Sequence, residues 1–341
     1  MDDWLIYRGV GAPDPGRIRH LPPPPPWRAF SGEPLPGAAP PIDSSSTRRL
    51  GARVAAPPAQ DAEALELINA ALYLRRPLLV TGEPGSGKST LAHSVAYELG
   101  LGRVLQWPVV SRTELKDGLY TYDAIGRLQD AQLAQRDEHQ RDEHQSDDIG
   151  RYIRLGPLGT ALLPAELPRV LLIDELDKSD IDLPNDLLNV VEEGEFALPE
   201  LERMADRPGQ DQVRVLTDDG RRVPVQGGRV RCHAFPFVVM TSNGERDFPA
   251  PLLRRCIHLH LDPPRDERLA AMVQAHFGPG SDERNLDLIG QFTREDGDGE
   301  LRPTDQLLNA IFLTQHAVRE EPGRREEIAE LLIRPLDTRQ R

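Results

Sequence analysis

The chain is poor in cysteine, in aromatic residues and in long apolar runs. Two of its 341 residues are cysteines and 5% are aromatic. Two cysteines exclude a disulfide framework, and Cys232 and Cys256 lack the spacing of metal ligands, so both are expected to be packing residues. No apolar run approaches the ~20 residues that a membrane span needs. We therefore expect no contact with a membrane.

Positive charge is also scarce, with 41 Lys and Arg against 55 Asp and Glu, a formal net charge of −14. Affinity for nucleic acid depends on a cationic surface, so the balance argues against a nucleic-acid partner. The opening residues Met1-Asp2-Asp3 lack the basic and apolar segments of a secretory signal. A cytoplasmic location is expected. The length is sufficient for one large core and a small one.

A glycine-rich segment lies between a strand pattern and a helix pattern. The apolar run 77–81 predicts a buried strand, and residues 90–99 have the apolar spacing of a helix. This context supports a match to G-x-x-x-x-G-K-[ST]. The matching residues are Gly82, Glu83, Pro84, Gly85, Ser86, Gly87, Lys88 and Ser89, and Thr90 follows them.

The residue types of this segment suit the binding of a nucleoside triphosphate. Glycines let backbone N–H groups surround phosphate oxygens, and the helix N-terminus adds a partial positive charge. Lys88 is expected to reach the β- and γ-phosphates, and Ser89 to ligate Mg²⁺. The alternative is a simple strand-to-helix turn. A second, acidic motif favours the nucleotide interpretation, with a nucleoside triphosphate and Mg²⁺ as ligands.

The acidic motif is Asp174-Glu175, which follows the apolar run 170–173. Such a run suits a strand buried on both faces, and the carboxyl ends of strands are where ligands bind in open α/β sheets. We predict that Asp174 holds Mg²⁺ together with Ser89 and that Glu175 polarises the attacking water. Alone, the pair could equally be a helix cap. Its combination with the phosphate-binding segment favours catalysis.

Two more features follow along the chain. An apolar strand over 235–243 ends at Asn243, which could orient the attacking water or touch the γ-phosphate if this strand lies between the two motif strands. Arg254 and Arg255 close a short helix, and an arginine there can neutralise transition-state charge as an arginine finger. The alternative is a cationic helix C-terminus that complements the helix dipole.

The glycine-rich loop, the Asp-Glu strand, the strand that ends in Asn and the helix that ends in Arg-Arg follow one another along the chain. Their order resembles that in the core of the AAA+ ATPases. The segments Gly156-Pro157-Leu158, Leu176-Asp177-Lys178 and 187–194 are similar to the MoxR-type branch of that family. The resemblance covers roughly residues 60–320. It implies an α/β P-loop NTPase fold with a parallel-sheet core and a small C-terminal helical lid.

The resemblance also implies roles for single residues and for the assembly. Asn243 corresponds to the sensor 1 residue, and Arg255 matches the trans-acting finger better than Arg254 does. Arg302, at the start of a lid helix, corresponds to sensor 2, acting in cis or in trans. A trans finger implies a homo-oligomeric ring, with a hexamer favoured. The branch implies remodelling of a partner protein, and its members usually act with a protein that carries a von Willebrand-type domain.

Composition sets the first fifty residues apart. Residues 1–50 contain an unbroken proline run at 22–26 and many glycines and serines. Such a stretch cannot build a core of its own, so a disordered arm is predicted. Trp4, Trp27 and Phe30 could anchor a partner, and a passive tail is the alternative.

The rest of the chain is expected to form two parts. Residues 51–262 are the predicted nucleotide-binding core, and residues 263–341 the helical lid. The core carries a long insertion, 111–160, and a hairpin region, 212–233. Within the insertion, Arg-Asp-Glu-His-Gln occurs twice in succession over 136–145. A solvated loop of variable length is favoured over a metal site for this repeat.

The hairpin is predicted from alternating residues on both sides of an Asp-Gly turn over 212–225. The family resemblance would point it at the central pore of a ring, whereas an edge hairpin protected by charge is the alternative. Two further functions stay open for the whole chain. A nucleotide-gated scaffold with little turnover is disfavoured by an intact Glu175, and a nucleic-acid translocase that uses the basic hairpin is disfavoured by the net charge.

Overall fold

The computed structural model describes residues 4–35, 44–51, 62–136, 149–205, 211–293 and 304–316, together with 327, 331 and 332. Within these residues the helices are α1 (Ser44–Leu50), α2 (Ala62–Leu74), α3 (Lys88–Glu98), α4 (Leu115–Leu119), α5 (Ala124–Arg136), α6 (Pro157–Ala161), α7 (Asp182–Glu193), α8 (Pro199–Ala205), α9 (Ala250–Arg255), α10 (Asp266–Phe277), α11 (Leu286–Thr293) and α12 (Thr304–His316). The strands are β1 (Leu78–Thr81), β2 (Leu105–Pro108), β3 (Tyr120–Tyr122), β4 (Ile153–Leu155), β5 (Val170–Asp174), β6 (Glu195–Ala197), β7 (Gln212–Leu216), β8 (Arg222–Gln226), β9 (Arg229–Arg231), β10 (Phe237–Ser242) and β11 (Ile257–His260). None of these helices is both long enough and apolar enough to cross a membrane.

A parallel sheet in the order β11-β1-β10-β5-β2 forms the centre of the fold. The apolar residues of β1, β5 and β10 are buried, as expected for strands covered on both faces. The predicted α/β fold with a parallel-sheet core is confirmed. Because β10 lies between β1 and β5, the strand that leads to Asn243 also has the predicted position.

A second sheet, in the order β3-β4-β7-β8-β9-β6, packs beside the first. The predicted hairpin forms, with β7 and β8 paired antiparallel from Gln212↔Gln226 to Leu216↔Arg222. The side chain of Asp219 in its turn is 0% exposed and pairs with Arg169 at 3.0 Å. Arg169 directly precedes β5, so the hairpin turn is fixed to the start of that strand. The larger part of the repeated pentad, 137–145, lies outside the described residues.

Helices α10, α11 and α12 share a small apolar core of their own. Leu269, Val273, Leu307 and Ile311 are each 0% exposed within it. The hydroxyl of Thr304, the first residue of α12, donates to the carbonyl of Gly85 at 2.9 Å. This contact places the start of α12 against the glycine-rich loop.

Residues 4–35, which we call the N-terminal strap, follow a defined path over the central core. The prediction of disorder is wrong for these residues, and residues 36–43 lie outside the described part of the chain. Ile6, Tyr7 and Ile18 are buried and join the core formed by α2, α3 and the central sheet. The strap has too few apolar residues to form its own core, but it completes one that the rest of the chain supplies. Trp27 remains 72% exposed.

Two buried polar side chains hold the backbone of the strap. Asn69 of α2 accepts hydrogen bonds from the backbone N–H groups of Ile6 and Tyr7 at 2.7 and 2.9 Å, and its amide donates to the Tyr7 carbonyl. Glu98 of α3 accepts from the backbone N–H groups of Arg8 and Val10. These bonds replace the water that an extended backbone would otherwise need.

We predict that Asn69→Ala lowers the free energy of unfolding by about 2–4 kcal/mol, because buried backbone groups lose their partners. Urea-induced unfolding measures the loss. Asn185→Ala is the matched control, since Asn185 is exposed on α7 and its amide donates to the Ile181 carbonyl of its own turn. Equal stability of the two variants would contradict the docking of the strap through Asn69.

Candidate active site

The glycine-rich loop joins β1 to α3 at the carboxyl edge of the central sheet. Its conformation depends on residues without a Cβ: Gly82 has φ 146° and Gly87 has φ 91°. A Cβ on Gly82 would lie 2.2 Å from the carbonyl oxygen of Leu261. Gly87 caps α3, so the N–H groups of that helix begin at the loop. Because the first N–H groups of a helix have no partner within that helix, the loop presents backbone donors where a phosphate group would bind.

Lys88, at the start of α3, turns back over the loop. Its Nζ donates to the carbonyl oxygens of Gly82 and Glu83, both at 2.7 Å. Burial lowers the pKa of Lys88, and the nearby carboxylates of Asp177 and Asp174 oppose that shift. The ammonium group is thus held at the loop by acceptors that phosphate oxygens can replace.

A cavity of about 290 Å³ opens beside the loop. It is enclosed by α1, α3, α10 and α12, and its wall includes Ser86, Tyr97, Met272 and Leu308. The hydroxyl of Ser86 is buried and has no hydrogen-bond partner within the described residues. An orphaned hydroxyl and an adjoining, largely apolar cavity fit a ligand with a phosphate chain and a flat base.

Asp174, the last residue of β5, joins three elements of the site. Ser89 Oγ of α3 and Thr241 Oγ1 of β10 both donate to its Oδ1, at 2.7 and 2.6 Å. Ser89 and Asp174, the two residues predicted to hold Mg²⁺, are therefore in direct contact, and their role as metal ligands stays a prediction. A hydroxyl and a carboxylate are oxygen ligands of the kind that Mg²⁺ uses beside substrate phosphates. Among the described residues no cluster of three or more His, Cys, Asp or Glu could hold a metal alone.

Glu175 has an unusual backbone, with φ 61° and ψ 47° in the left-handed region. Its N–H donates to Thr241 Oγ1 at 2.8 Å, which helps to hold this conformation. The carboxylate Oε2 pairs with Lys178 Nζ at 2.7 Å, and this hydrogen bond raises the pKa of Lys178. Left-handed backbone at a non-glycine residue costs of order 1–3 kcal/mol and is common at functional sites.

Asn243 directly follows β10 at the same edge of the sheet. Its backbone N–H donates to Asp177 Oδ2 at 2.9 Å, and the N–H of Glu245 donates to the same oxygen at 3.0 Å. Asp177 is 2% exposed, so it is a buried anchor for the loop after β10. Asn243 is thereby held close to the turn that carries Glu175.

Arg255 does not lie at this edge. β11 pairs with β1 in parallel from Ile257↔Leu78, so Arg255 sits at the amino-terminal edge, separated from the loop by the ~13 Å length of β1. Its Nε pairs with Glu192 Oε1 at 2.9 Å, and its Nη1 donates to the Pro251 carbonyl. Arg254 is exposed beside it. Arg302 lies outside the described residues, and its role stays a prediction.

Three residues of this site were not predicted: Thr241, Asp177 and Lys178. Thr241 was detectable, because Thr241-Ser242-Asn243 is a polar end on an otherwise apolar strand. Asp177 and Lys178 follow the acidic motif within three residues, but their contacts depend on the left-handed turn at Glu175. A sequence pattern does not reveal that turn, since glycine is the usual residue there.

We expect Thr241→Val, which keeps the side-chain volume, to reduce turnover of the ligand by about tenfold. The loss follows because Asp174 loses a donor and the Glu175 N–H loses its acceptor. Thr121→Val makes the same change at an exposed position of β3 and should leave turnover unchanged. The test is the steady-state turnover rate of each variant at saturating nucleotide. Equal rates for Thr241→Val and Thr121→Val would refute the role given to Thr241.

Comparison with known proteins yields one family match. The family model described as AAA domain (dynein-related subfamily) matches residues 77–256, which run from the start of β1 to the end of α9. The matched segment contains the glycine-rich loop, the acidic pair, Asn243 and Arg255. No curated protein matches the chain.

Proposed function

The chain belongs to the AAA family, in its dynein-related subfamily, and from that premise we propose that it hydrolyses ATP to ADP and phosphate with Mg²⁺. The hydrogen bond of 2.7 Å between Ser89 and Asp174 carries this proposal, because it joins the phosphate-binding loop to the acidic strand. The two oxygens belong to the residues that would hold Mg²⁺ in a P-loop enzyme. The family supports nucleotide binding directly.

In the proposed reaction each site residue at the carboxyl edge of the central sheet has one role. Lys88 would exchange its loop carbonyls for phosphate oxygens, and residues 82–90 would surround the phosphate chain. Bound Mg²⁺, held by Ser89 and Asp174, would neutralise charge on the phosphates. Glu175 would accept a proton from the attacking water, and Asn243 would orient that water.

The position of Arg255 supports assembly into a homo-oligomeric ring. Arg255 lies at the amino-terminal edge of the sheet, away from its own loop, so any contact with a nucleotide would have to be with that of a neighbouring subunit. We propose a ring, with a hexamer as the favoured size, in which Arg255 is the finger. Arg302 is proposed as a further contact to the nucleotide from the lid.

A MoxR-type role, the remodelling of a partner protein, is the finer proposal. It rests on the segments that begin at Gly156, Leu176 and Leu187. The same proposal includes a partner protein that carries a von Willebrand-type domain. It also includes a cytoplasmic location for this chain. A nucleotide-gated scaffold is the second candidate, and the ion pair between Glu175 and Lys178 favours it, because that contact engages the proposed base.

Two substitutions test the hydrolysis. Lys88→Ala should abolish ATP binding, because the loop loses its cation. Glu175→Gln should keep ATP binding while phosphate release falls at least ~10²-fold, the scale of a lost general base. Lys116→Ala and Glu193→Gln, the same changes at exposed positions, serve as controls.

The outcome also separates the two candidate functions. A wild-type protein that binds ATP but releases no phosphate in the steady state would favour the scaffold. Normal turnover of Glu175→Gln would remove Glu175 from the mechanism. In the remodelling proposal, Glu175→Gln with ATP retains the partner protein in a pull-down, and Lys88→Ala does not.

The ring is tested with Arg255→Ala, which should leave ATP affinity nearly intact and lower turnover by about 10³-fold or more. Mixing it with Lys88→Ala should restore part of the activity, since hybrid interfaces join an intact finger to an intact loop. Arg254→Ala is the matched control. Turnover per subunit should also rise with protein concentration as rings assemble. A monomer whose turnover does not depend on concentration would contradict the assignment.

A further inference from the structure

We propose that Glu192 is a positioning residue for Arg255 and that the N-terminal strap holds Glu192 in place through Arg28. The proposal rests on the finger role proposed for Arg255. It adds two residues that lie far from the glycine-rich loop, one of them in the strap that precedes the AAA match.

The contact between Glu192 and Arg255 fixes the direction of the guanidinium group. Nε of Arg255 pairs with Glu192 Oε1 at 2.9 Å, and Nη1 donates to the carbonyl of Pro251 at 3.2 Å. A guanidinium group is planar, so two held nitrogens define its plane and the direction of Nη2. The side chain of Arg255 is 42% exposed, so part of it is accessible to a neighbouring subunit.

Glu192 is itself held from the other side. It lies in the last turn of α7, where Arg28 donates to the backbone carbonyls of Val191 and Glu192 at 3.1 and 3.2 Å. The Glu192 carboxylate is 3.6 Å from the same guanidinium group through Oε2. One carboxylate therefore lies between the buried Arg28 and the half-exposed Arg255.

Arg28 is a rigid support for this carboxylate. It is 4% exposed and packs against the rings of Phe30 and Phe235, with its Cζ 5.0 and 4.4 Å from their centroids, and the two rings stack on each other. Two further hydrogen bonds join it to the carbonyl of Arg75. Burial lowers the pKa of Arg28, and the charge of Glu192 opposes that shift.

The carboxylate of Glu192 faces two arginines, and its effects on them differ. For Arg28 it is structural, because backbone carbonyls satisfy the N–H groups of that buried arginine but do not compensate its charge. Arg255 is exposed enough for water to solvate it, and exposed ion pairs contribute little to stability. The consequence of the contact between Glu192 and Arg255 is therefore the orientation of Arg255, separate from the stability that Glu192 provides through Arg28.

Glu192→Gln keeps the size of the side chain and removes its charge, and Glu193→Gln is the matched control on the adjacent exposed residue. We expect Glu192→Gln to lower kcat about tenfold with KM for ATP unchanged, because a misdirected group loses rate and not affinity. In the Arg255→Ala background the same substitution should have no further effect. Thermal unfolding of each variant checks that the fold is kept.

A second measurement does not depend on turnover. Phenylglyoxal labelling of the nucleotide-free full chain, read by mass spectrometry, reports the accessibility of each arginine. Glu192→Gln should raise the labelling rate of Arg255 several-fold relative to wild type and to Glu193→Gln. Arg254, the adjacent exposed arginine, should label at an unchanged rate and serves as the internal reference.

The outcomes separate this inference from the function on which it rests. If Arg255→Ala keeps normal turnover, the finger role fails and the inference falls with it. If Arg255→Ala loses turnover while Glu192→Gln has wild-type kcat and wild-type labelling of Arg255, only the inference is overturned. An equal loss of kcat from Glu192→Gln in the wild-type and Arg255→Ala backgrounds would also overturn it.

Discussion

Two hydrogen bonds that converge on Oδ1 of Asp174 hold the centre of this molecule together. Ser89 approaches from α3 and Thr241 from β10, so the helix after the glycine-rich loop and two parallel strands meet at one oxygen. Thr241 also accepts the N–H of Glu175, which sets the turn after β5. A shift of any one strand along the sheet would break this set. The same hydrogen bonds therefore fix both the register of the central sheet and the geometry of the site.

The central sheet was predictable from sequence because its strands are short apolar runs that end in polar residues. β1, β5 and β10 could be placed by their buried residues. The glycine-rich segment after β1 pointed to Ser89, and the polar ends of β5 and β10 pointed to Asp174 and Asn243. Thr241 lies in the same polar end of β10, and it was missed because its hydrogen bonds to Asp174 and Glu175 depend on the register of β10 against β5. The sequence predicts that the two strands are neighbours, but it does not predict their register.

The N-terminal strap was mispredicted for a different reason. Composition tests whether a segment can bury enough apolar surface by itself. Ile6, Tyr7 and Ile18 are too few for that, but α2 and α3 provide the rest of the core. The strap also depends on Asn69 and Glu98, single polar residues in helices. A helical pattern gives no sign that such side chains bind a distant backbone.

The strap has a consequence for the order in which the chain is made. Arg28 bonds the carbonyl of Glu192, 164 positions further along, so this contact must wait until α7 has left the ribosome. This part of the strap is synthesised well before its partner in α7, and closing so long a loop is slow relative to local folding. The prolines of the strap lack N–H groups and its apolar residues are few. Both features suit a segment that must stay hydrated, without its protein partners, while the core folds.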